Sequence, residues 1–390
     1  MSDGQTLYLI LLFLYLSECF VWIGRRTVVF SAQWCLYWNA KRAGHSLGNL
    51  NGGIVSLNPL LPLASAYQGH WCPISLSPIG VCDLNLQVPN GVSRLSQSGQ
   101  VLLYDQVGEV GHDGKYLLMN GARFSKCATV DQAQLLEKLI RRVLQESPEN
   151  RGKVIREFID ASLSKSVASA RLEEVANVIR PIQWSGSFFF AFLFVFVPAM
   201  VIFFGLDWFI IPVAVVMLLF ASLIAAQYAW AHRRLYPVRT HDRVSNIVKM
   251  ALCPPAAIRA GDLLTLASLT EFHPIVIGHL LLGPRAVEFY RPLIRDLHFP
   301  LGHNHKSDQV LSILAWQSNA ECDSIETFLK TECALTINDF LLPPHWDGVS
   351  KAYCPRCLCQ LIVNTGECPD CQGVSLQPFL RMLNPEVPNG

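Results

Sequence analysis

FFFAFLFVFVPAMVIFFGLDWFIIPVAVVMLLFASLIAAQYAWA, residues 188–231, is the stretch that decides the architecture of this chain. Asp207 is its single charged side chain. A helix that crosses a hydrocarbon core of ~30 Å needs about 20 residues, so the segment is too long for one crossing and fits two. A Gly-Leu-Asp turn separates them, which predicts a hairpin of transmembrane helices over residues 185–204 and 208–230. A buried hairpin in a soluble protein is the alternative, and the lack of charge over this length argues against it.

The composition of the whole chain also indicates a membrane protein. Of its 390 residues, 51% are apolar and 16% are charged, whereas soluble domains carry charge on about a quarter of their residues. The length leaves room for two or three domains. The formal net charge of +1 gives no electrostatic argument for a nucleic-acid partner. We therefore expect an integral membrane protein whose first partner is the lipid bilayer.

A further apolar segment, LYLILLFLYLSECFVWI, occupies residues 7–23. No Lys or Arg precedes it and no small-x-small cleavage site follows it, which favours an uncleaved anchor over a signal peptide. Glu18 lies inside this predicted span. An acid at such a position is a candidate functional group, or it lies near the membrane interface and hydrogen bonds to Ser222 or Gln227.

The basic residues near the three predicted spans predict the orientation of the chain, because cytoplasmic ends carry the excess of Lys and Arg. The opposite ends carry only Asp3 and Asp207. The pattern predicts an N-terminus outside and a cytoplasmic C-terminus, as in a bacterial inner-membrane protein. The basic residues are Arg25, Arg26, Lys41, Arg42, Arg171, Arg180, Arg233, Arg234, Arg239 and Arg243.

The region between the first span and the hairpin contains a predicted β-meander. Its three strands lie within residues 106–126 and are joined by Asp-Gly and Asn-Gly, the strongest short hairpin signals. Short strands are also predicted at residues 53–57 and 80–86. An amphipathic helix then begins at Thr129 with a capping-box pattern. Strands closed by one helix over residues 52–146 resemble the pleckstrin-homology-like domain, which implies a lipid- or protein-docking surface; an unrelated α+β domain is the equal alternative.

The segment YCPRCLCQLIVNTGECPDC, residues 353–371, carries the most specific motif in the chain. Cys354 and Cys357 form one Cys-x-x-Cys turn, and Cys368 and Cys371 form a second. Each turn offers two sulfurs from one tight loop, and four thiolates at the corners of a tetrahedron make a structural zinc site. With proline after the first cysteine of each turn, residues 352–376 resemble the zinc-ribbon and rubredoxin-like knuckles. The resemblance implies a structural metal ion, with iron in place of zinc left open.

Other chemistries at these cysteines are disfavoured. Disulfides need an oxidising compartment, which the predicted orientation denies. A redox-active Cys-x-x-Cys needs a thioredoxin-like βαβ context, which the pattern lacks. Cys359 is a fifth thiol that either replaces Cys357 or is a spare.

The remaining signals are weak. His298, His303 and His305 form a His-rich loop without nearby Cys or carboxylate ligands, and Ser162 with Lys165 matches Ser-x-x-Lys without a supporting motif. The chain has no Walker loop, no Gly-x-Gly-x-x-Gly and no His-Glu-x-x-His. No catalytic residue is assigned. A cytoplasmic pocket in which four further side chains converge would favour an enzyme: Asp262, Glu271, His273 and His279.

Together these patterns predict a multi-span α-helical membrane protein with three transmembrane helices. It also has a β-rich α+β cytoplasmic domain, a helical cytoplasmic region and a C-terminal zinc ribbon. The predicted function is that of a non-enzymatic interaction or assembly protein that contacts other membrane or cytoplasmic proteins. A membrane-bound hydrolase or transferase and an oligomeric transport component are the alternatives, and no small-molecule substrate is identified. The predicted segments are an anchor at 1–26, the β-rich domain at 27–150, an amphipathic connecting helix at 151–183, the hairpin at 184–231, the helical region at 232–341, a linker at 342–351, the ribbon at 352–376 and a tail at 377–390.

Overall fold

The computed structural model describes residues 73–83, 100–127, 129–204, 210–237, 239–261, 263–264, 271–282, 286–299, 308–371 and 373–379, with a few positions before residue 57. The chain divides into two compact units. The first contains the long apolar helices, within Lys165–Phe272, and two short N-terminal strands. The second combines His70–Ser164 with His273–Gly390.

The described strands are short and the helices long, as the hydrophobic patterns predict. In chain order the strands are β1 (Val28–Phe30), β2 (Ile54–Ser56), β3 (Ile74–Leu76), β4 (Gly80–Asp83), β5 (Val101–Leu103), β6 (Val110–Asp113), β7 (Tyr116–Met119), β8 (Ala122–Lys126), β9 (Ala352–Tyr353), β10 (Gln360–Leu361) and β11 (Gln377–Pro378). The helices are α1 (Val130–Gln145), α2 (Pro148–Ser162), α3 (Lys165–Ala191), α4 (Val197–Phe204), α5 (Ile210–Leu235), α6 (Thr240–Leu252), α7 (Pro274–Leu282), α8 (Ala286–His298), α9 (Asp308–Cys333) and α10 (Asn338–Leu341).

The first unit is built on the predicted hairpin. Within the described part of the chain, two helical stretches are long and apolar enough to cross a membrane, Lys165–Met200 and Ile211–Leu235. Only 28% and 17% of their most apolar windows are buried, which is low for core helices of a soluble protein. Large apolar side chains such as Phe203 and Ile211 face outward instead, at 78% and 76% exposure. The predicted third span, residues 7–23 with Glu18, lies outside the described residues apart from a few helical positions.

Proline explains a local irregularity in the first of these stretches. Between α3 and α4 the backbone forms a π-helical turn, Phe192–Phe196, in which Val197 N–H donates to Phe192 C=O. Pro198 follows directly and has no N–H to donate, and its ring would clash with the carbonyl four residues earlier. The wider π turn lets the helix continue past the proline.

Aromatic and polar contacts hold the first unit together. Phe189 of α3 stacks on Phe220 of α5 with ring centroids 5.5 Å apart. Towards the end of α5, Tyr228 OH accepts a 2.7 Å hydrogen bond from Asn246 Nδ2 of α6. Tyr236 OH donates to Leu264 C=O at 2.7 Å. These bonds satisfy polar groups next to an apolar helix pair, where an unmade bond is costly.

In the second unit the predicted meander is confirmed. Strands β6, β7 and β8 pair antiparallel in sequence order. The second turn uses Asn120 and Gly121, which both have positive φ (51° and 75°), as this turn type requires. The predicted cap of α1 is also present, because Thr129 Oγ1 accepts from Gln132 N–H at 3.1 Å.

Two different helices cover the β6-β7-β8 and β3-β4-β5 sheets of this unit. Helix α1 packs on β6 and β7, and α9 packs on β3 and β4 of the β3-β4-β5 sheet. The strand predicted at residues 53–57 is present as β2, but it pairs in parallel with β1 in the first unit. The resemblance to a pleckstrin-homology-like domain remains a prediction.

The amphipathic connecting helix predicted over residues 151–183 is two helices in the structure. Helix α2 ends at Ser162, and α3 begins at Lys165. Ser162 Oγ bonds back to Ile159 C=O at 2.6 Å, and Ser162 C=O accepts from His273 N–H at 3.0 Å. Such side-chain bonds compete with the helix and favour its end at this position.

A buried polar pair fastens α9 to β3. Gln317 Oε1 accepts from Leu76 N–H at 2.5 Å, and Gln317 Nε2 donates to Glu321 Oε1 at 2.6 Å. Burial raises the pKa of Glu321 to about 7. A carboxyl with a raised pKa holds its proton when folded and makes the unit sensitive to pH.

Candidate metal centre

The C-terminal segment folds as a small three-stranded ribbon. Strand β9 is central and pairs antiparallel with β10 and with β11. Gln360 lies opposite Tyr353 in one pair, and Gln377 lies opposite it in the other. The segment predicted as a ribbon, residues 352–376, contributes β9 and β10, and β11 adds a third strand from the residues predicted as a tail.

Backbone hydrogen bonds close both Cys-x-x-Cys turns. In the first, Leu358 N–H donates to Cys354 C=O at 2.9 Å, and in the second, Cys368 N–H donates to Val374 C=O at 2.9 Å. Leu358 has φ 62° and Gly373 has φ 75°. Left-handed backbone of this kind favours glycine, so Leu358 occupies the position where such knuckles often have one.

The two turns bring four sulfurs together. The Sγ atoms of Cys354, Cys357, Cys368 and Cys371 all lie within 4.8 Å of one another, and those of Cys357 and Cys368 are 3.8 Å apart. Four sulfurs at the ~2.3 Å Zn–S distance of a tetrahedral site lie ~3.8 Å apart. All four are free thiols. The four cysteines are therefore positioned to hold a metal ion, and the donor set and spacing fit tetrahedral zinc.

The surroundings of the sulfurs differ. Cys354, Cys368 and Cys371 are buried, whereas Cys357 is partly exposed. Hydrogen bonds from the Cys357 and Cys371 thiols lower the pKa of Cys354 to about 2. The same contacts, with burial, raise the pKa of Cys371. A metal ion held by all four sulfurs would displace the protons that remain on them.

Cys359 does not belong to the cluster. Its side chain is exposed, and its Sγ faces Gln360 C=O at 3.8 Å. Cys357 has its sulfur among the other three. The structure thus places Cys359 apart from the four candidate ligands.

Two buried arginines join the ribbon to the helices of the second unit. Arg295 of α8 is 1% exposed, and its guanidinium donates to Pro355 C=O, inside the first turn, and to Leu342 C=O. Arg356, in the same turn, donates to Phe299 C=O at 3.0 Å. Burial and the charge of Arg291 lower the pKa of Arg295 to about 10, so it stays charged near neutral pH. Four thiolates would outweigh a bound divalent ion by two negative charges, and the charge of Arg295, which interacts with Cys354, would offset part of that excess.

Sequence reasoning missed the role of Arg295. It lies 60 residues before Pro355, and its own surroundings in α8 carry no metal signal. Arg356 could have been noticed, because it stands between the two cysteines of the first turn.

The weaker candidate residues do not converge on one site within the described residues. His273 is buried and its Nδ1 accepts from Ile275 N–H at 3.2 Å, which caps α7. His279 instead contacts Cys333. Glu271 lies 3.9 Å from Arg171 in the first unit.

Ser162 is buried and bonded to the backbone. His298 meets the Phe299 ring edge-on with centroids 5.0 Å apart, and Asp262, His303 and His305 lie outside the described residues.

Sequence reasoning also missed a short motif near the N-terminus. Residues 44–48, GHSLG, match the Gly-x-Ser-x-Gly pattern in which Ser46 would be a nucleophile. The motif acts as such only on a sharp strand-to-helix turn. Residues 44–48 lie outside the described part of the chain.

Comparisons with protein-family models, curated proteins and solved structures gave no match to this chain.

Proposed function

We propose that this protein is a non-enzymatic, membrane-anchored interaction or assembly protein that presents a docking domain and a zinc-ribbon tail to the cytoplasm. Its anchor is the apolar hairpin, with the segment at residues 7–23 as a third span. The N-terminus faces outward and the C-terminus inward, as in a bacterial inner membrane. The excess of basic residues at the inner ends of the spans supports this orientation.

The metal in the ribbon is zinc, and its role is structural. Cys354, Cys357, Cys368 and Cys371 would supply all four ligands, which leaves no open coordination position for a substrate. The ribbon buries few residues of its own around these sulfurs, so a metal would provide much of its folding free energy. The short Sγ distances and the free thiols support this assignment.

The observation that carries the interaction proposal is an apolar surface on the ribbon. Ile362 and Val363 follow β10 and are 69% and 51% exposed, and Val349 in the preceding loop is 70% exposed. Gln360 keeps this loop beside β10 by accepting from Asp347 N–H at 3.0 Å and donating to His345 C=O at 2.7 Å. We call Val349, Ile362 and Val363, with Trp346, the ribbon patch. Several large apolar side chains on one small module are typical of a surface that binds another protein.

A photo-crosslinking amino acid at position 363 tests this proposal in native membranes. We expect a discrete adduct with another protein, because Val363 lies in the ribbon patch. The matched control carries the same amino acid at position 330. Lys330 is exposed on α9 and does not belong to the ribbon patch. The same amino acid at position 362 gives a second probe of the patch. The proposal would be contradicted if neither 362 nor 363 gave a protein adduct, or if position 330 gave an equal one.

A membrane-bound hydrolase is the second candidate, and the GHSLG motif at residues 44–48 favours it. In that case the replacement Ser46→Ala should abolish hydrolysis of short acyl esters by the purified full-length protein. Equal activity of the two forms, or none in either, removes this candidate.

A further inference from the structure

A second cluster of reactive side chains lies in the second unit, where three helices meet. Cys333 is the last residue of α9, His279 lies on α7 and Tyr290 on α8. Cys333 Sγ is 3.6 Å from His279 Nδ1, and the buried Tyr290 phenol lies near enough to Cys333 for the two groups to interact electrostatically. The cluster has no part in the metal centre and is not needed by the proposed docking role.

Aromatic contacts hold the two partners of the thiol in place. The His279 imidazole meets the Phe328 ring edge-on, with centroids 5.6 Å apart. The Tyr290 phenol meets Phe340 in the same way at 6.1 Å. These edge-to-face contacts favour one orientation of each ring. The packing therefore holds the imidazole nitrogen beside the sulfur and holds the phenol ring against Phe340.

The three groups differ in their exposure to solvent and in their acid–base chemistry. Cys333 and His279 are partly exposed, whereas Tyr290 is fully buried. Burial and the neighbouring Cys333 raise the pKa of Tyr290, so the phenol keeps its proton. A sulfur at a helix C-terminus faces the negative end of the helix dipole, which disfavours a thiolate. His279 and Tyr290 supply the opposing interactions, because an imidazole accepts the thiol proton and both groups donate to the resulting anion.

We propose that Cys333 is a nucleophilic thiol, activated by His279 and Tyr290, that exchanges with disulfides of low-molecular-weight thiols and becomes S-thiolated. The Cys333 thiolate attacks one sulfur of the small disulfide, and a new S–S bond forms as the old one breaks. The other half leaves as a thiolate and takes up the proton that His279 accepted. The exchange needs no further oxidant or reductant.

Disulfide exchange suits this site better than acyl transfer. A tetrahedral intermediate needs hydrogen-bond donors aimed at an oxyanion. Ala334 ends α9 with φ 53°, and the next amide, Leu335 N–H, is engaged with Leu329 C=O at 3.2 Å. Exchange with a disulfide requires only a thiolate with access to solvent.

The test uses the zinc-loaded full-length protein in detergent and glutathione disulfide as the probe. Peptide mass spectrometry follows the mixed disulfide at each cysteine between pH 6 and 8. Cys322 on the same helix is the matched internal control, because burial raises its pKa to about 12. Cys359 is the exposed control. We expect Cys333 at pH 6.5 to react at least about tenfold faster than Cys359, and Cys322 to stay unmodified.

Two variants separate activation from simple exposure. His279→Gln should slow thiolation of Cys333 at least about tenfold, and Tyr290→Phe should slow it severalfold while keeping the ring against Phe340. Cys359 should react equally in all forms. Thiolation of Cys333 no faster than that of Cys359, or unaffected by His279→Gln, would overturn the proposal. If His279→Gln fails to fold, the pH dependence of Cys333 thiolation in the wild-type protein is the test. The thiolation rate of an unactivated thiol rises about tenfold per pH unit in this range, and such a slope at Cys333 would also overturn the proposal.

Discussion

The guanidinium of Arg295 donates a hydrogen bond to the carbonyl of Pro355, which stands between two of the candidate metal ligands. A helix of the second unit thereby holds the backbone of the first Cys-x-x-Cys turn. Arg295 is buried and donates to two carbonyl groups, so its loss would leave both carbonyl groups without a donor. The ribbon is a docked part of the second unit, joined to it by side chains as well as by the chain itself.

Arg295→Met should loosen the ribbon without removing the metal. The two orphaned carbonyl groups should cost about 1–3 kcal/mol of docking free energy. We expect faster tryptic cleavage near Lys351 with an unchanged zinc content per chain. Arg291→Met, an exposed position on the same helix, is the control. Equal cleavage rates for the two variants would show that Arg295 does not hold the ribbon.

Cys368→Ser should abolish metal binding, whereas Cys359→Ser should not. Three ligands cannot complete the tetrahedral site, and apparent zinc-binding free energies of ~10–16 kcal/mol mean that the ribbon unfolds when the metal is lost. Elemental analysis gives the metal content, and limited proteolysis reports on the ribbon. Metal loss from Cys359→Ser with retention by Cys357→Ser would reassign the ligand. The apolar hairpin should be unchanged in every variant.

Leu358→Gly should stabilise the first Cys-x-x-Cys turn. A non-glycine residue at φ 62° costs about 1–2 kcal/mol of folding free energy. Glycine removes this strain, but it loses more chain entropy on folding, which offsets part of the gain. The net gain should be about 0.5–1 kcal/mol and should appear as slower zinc loss to a chelator. The reciprocal variant is Gly373→Ala, at φ 75°, which should speed zinc loss. Changes of the same sign in both variants would contradict this account.

Glu321→Gln should remove a pH dependence from the second unit. The pKa of this carboxyl rises from an ordinary 4.5 to about 7 in the folded state because of burial. The folded state therefore binds more protons than the unfolded state between pH 4.5 and 7, and stability falls as pH rises through that window. The loss is on the order of 3 kcal/mol and is complete above pH 7. Thermal unfolding of both forms at pH 5 and pH 8 measures it, and a wild-type protein equally stable at both values would refute it.

A membrane-impermeant thiol reagent tests the orientation on intact cells. Cys359 is the natural reporter, because it is exposed and lies beside the metal-ligand candidates without being one. If the C-terminus is cytoplasmic, Cys359 should be labelled only after lysis. Labelling of Cys359 on unbroken cells would reverse the orientation.

Local patterns in the sequence were enough to predict several parts of this protein. The apolar hairpin follows from length and lack of charge, the meander from Asp-Gly and Asn-Gly, and the cysteine cluster from two Cys-x-x-Cys turns. In each case the interacting residues are close along the chain. Their geometry therefore depends on turn chemistry and periodicity, which a sequence displays directly.

The rest was decided by tertiary structure. Two helices replace one around Ser162, where a backbone amide from His273, more than a hundred residues later, meets the end of α2. Arg295 reaches the ribbon across 60 residues, and His279 meets Cys333 across 54. Such contacts depend on how helices pack against one another, and no local period encodes which side chains then become neighbours. Local sequence patterns therefore predict the apolar hairpin, the meander and the four candidate ligands, whereas helix packing determines which side chains surround those ligands and places His279 beside Cys333.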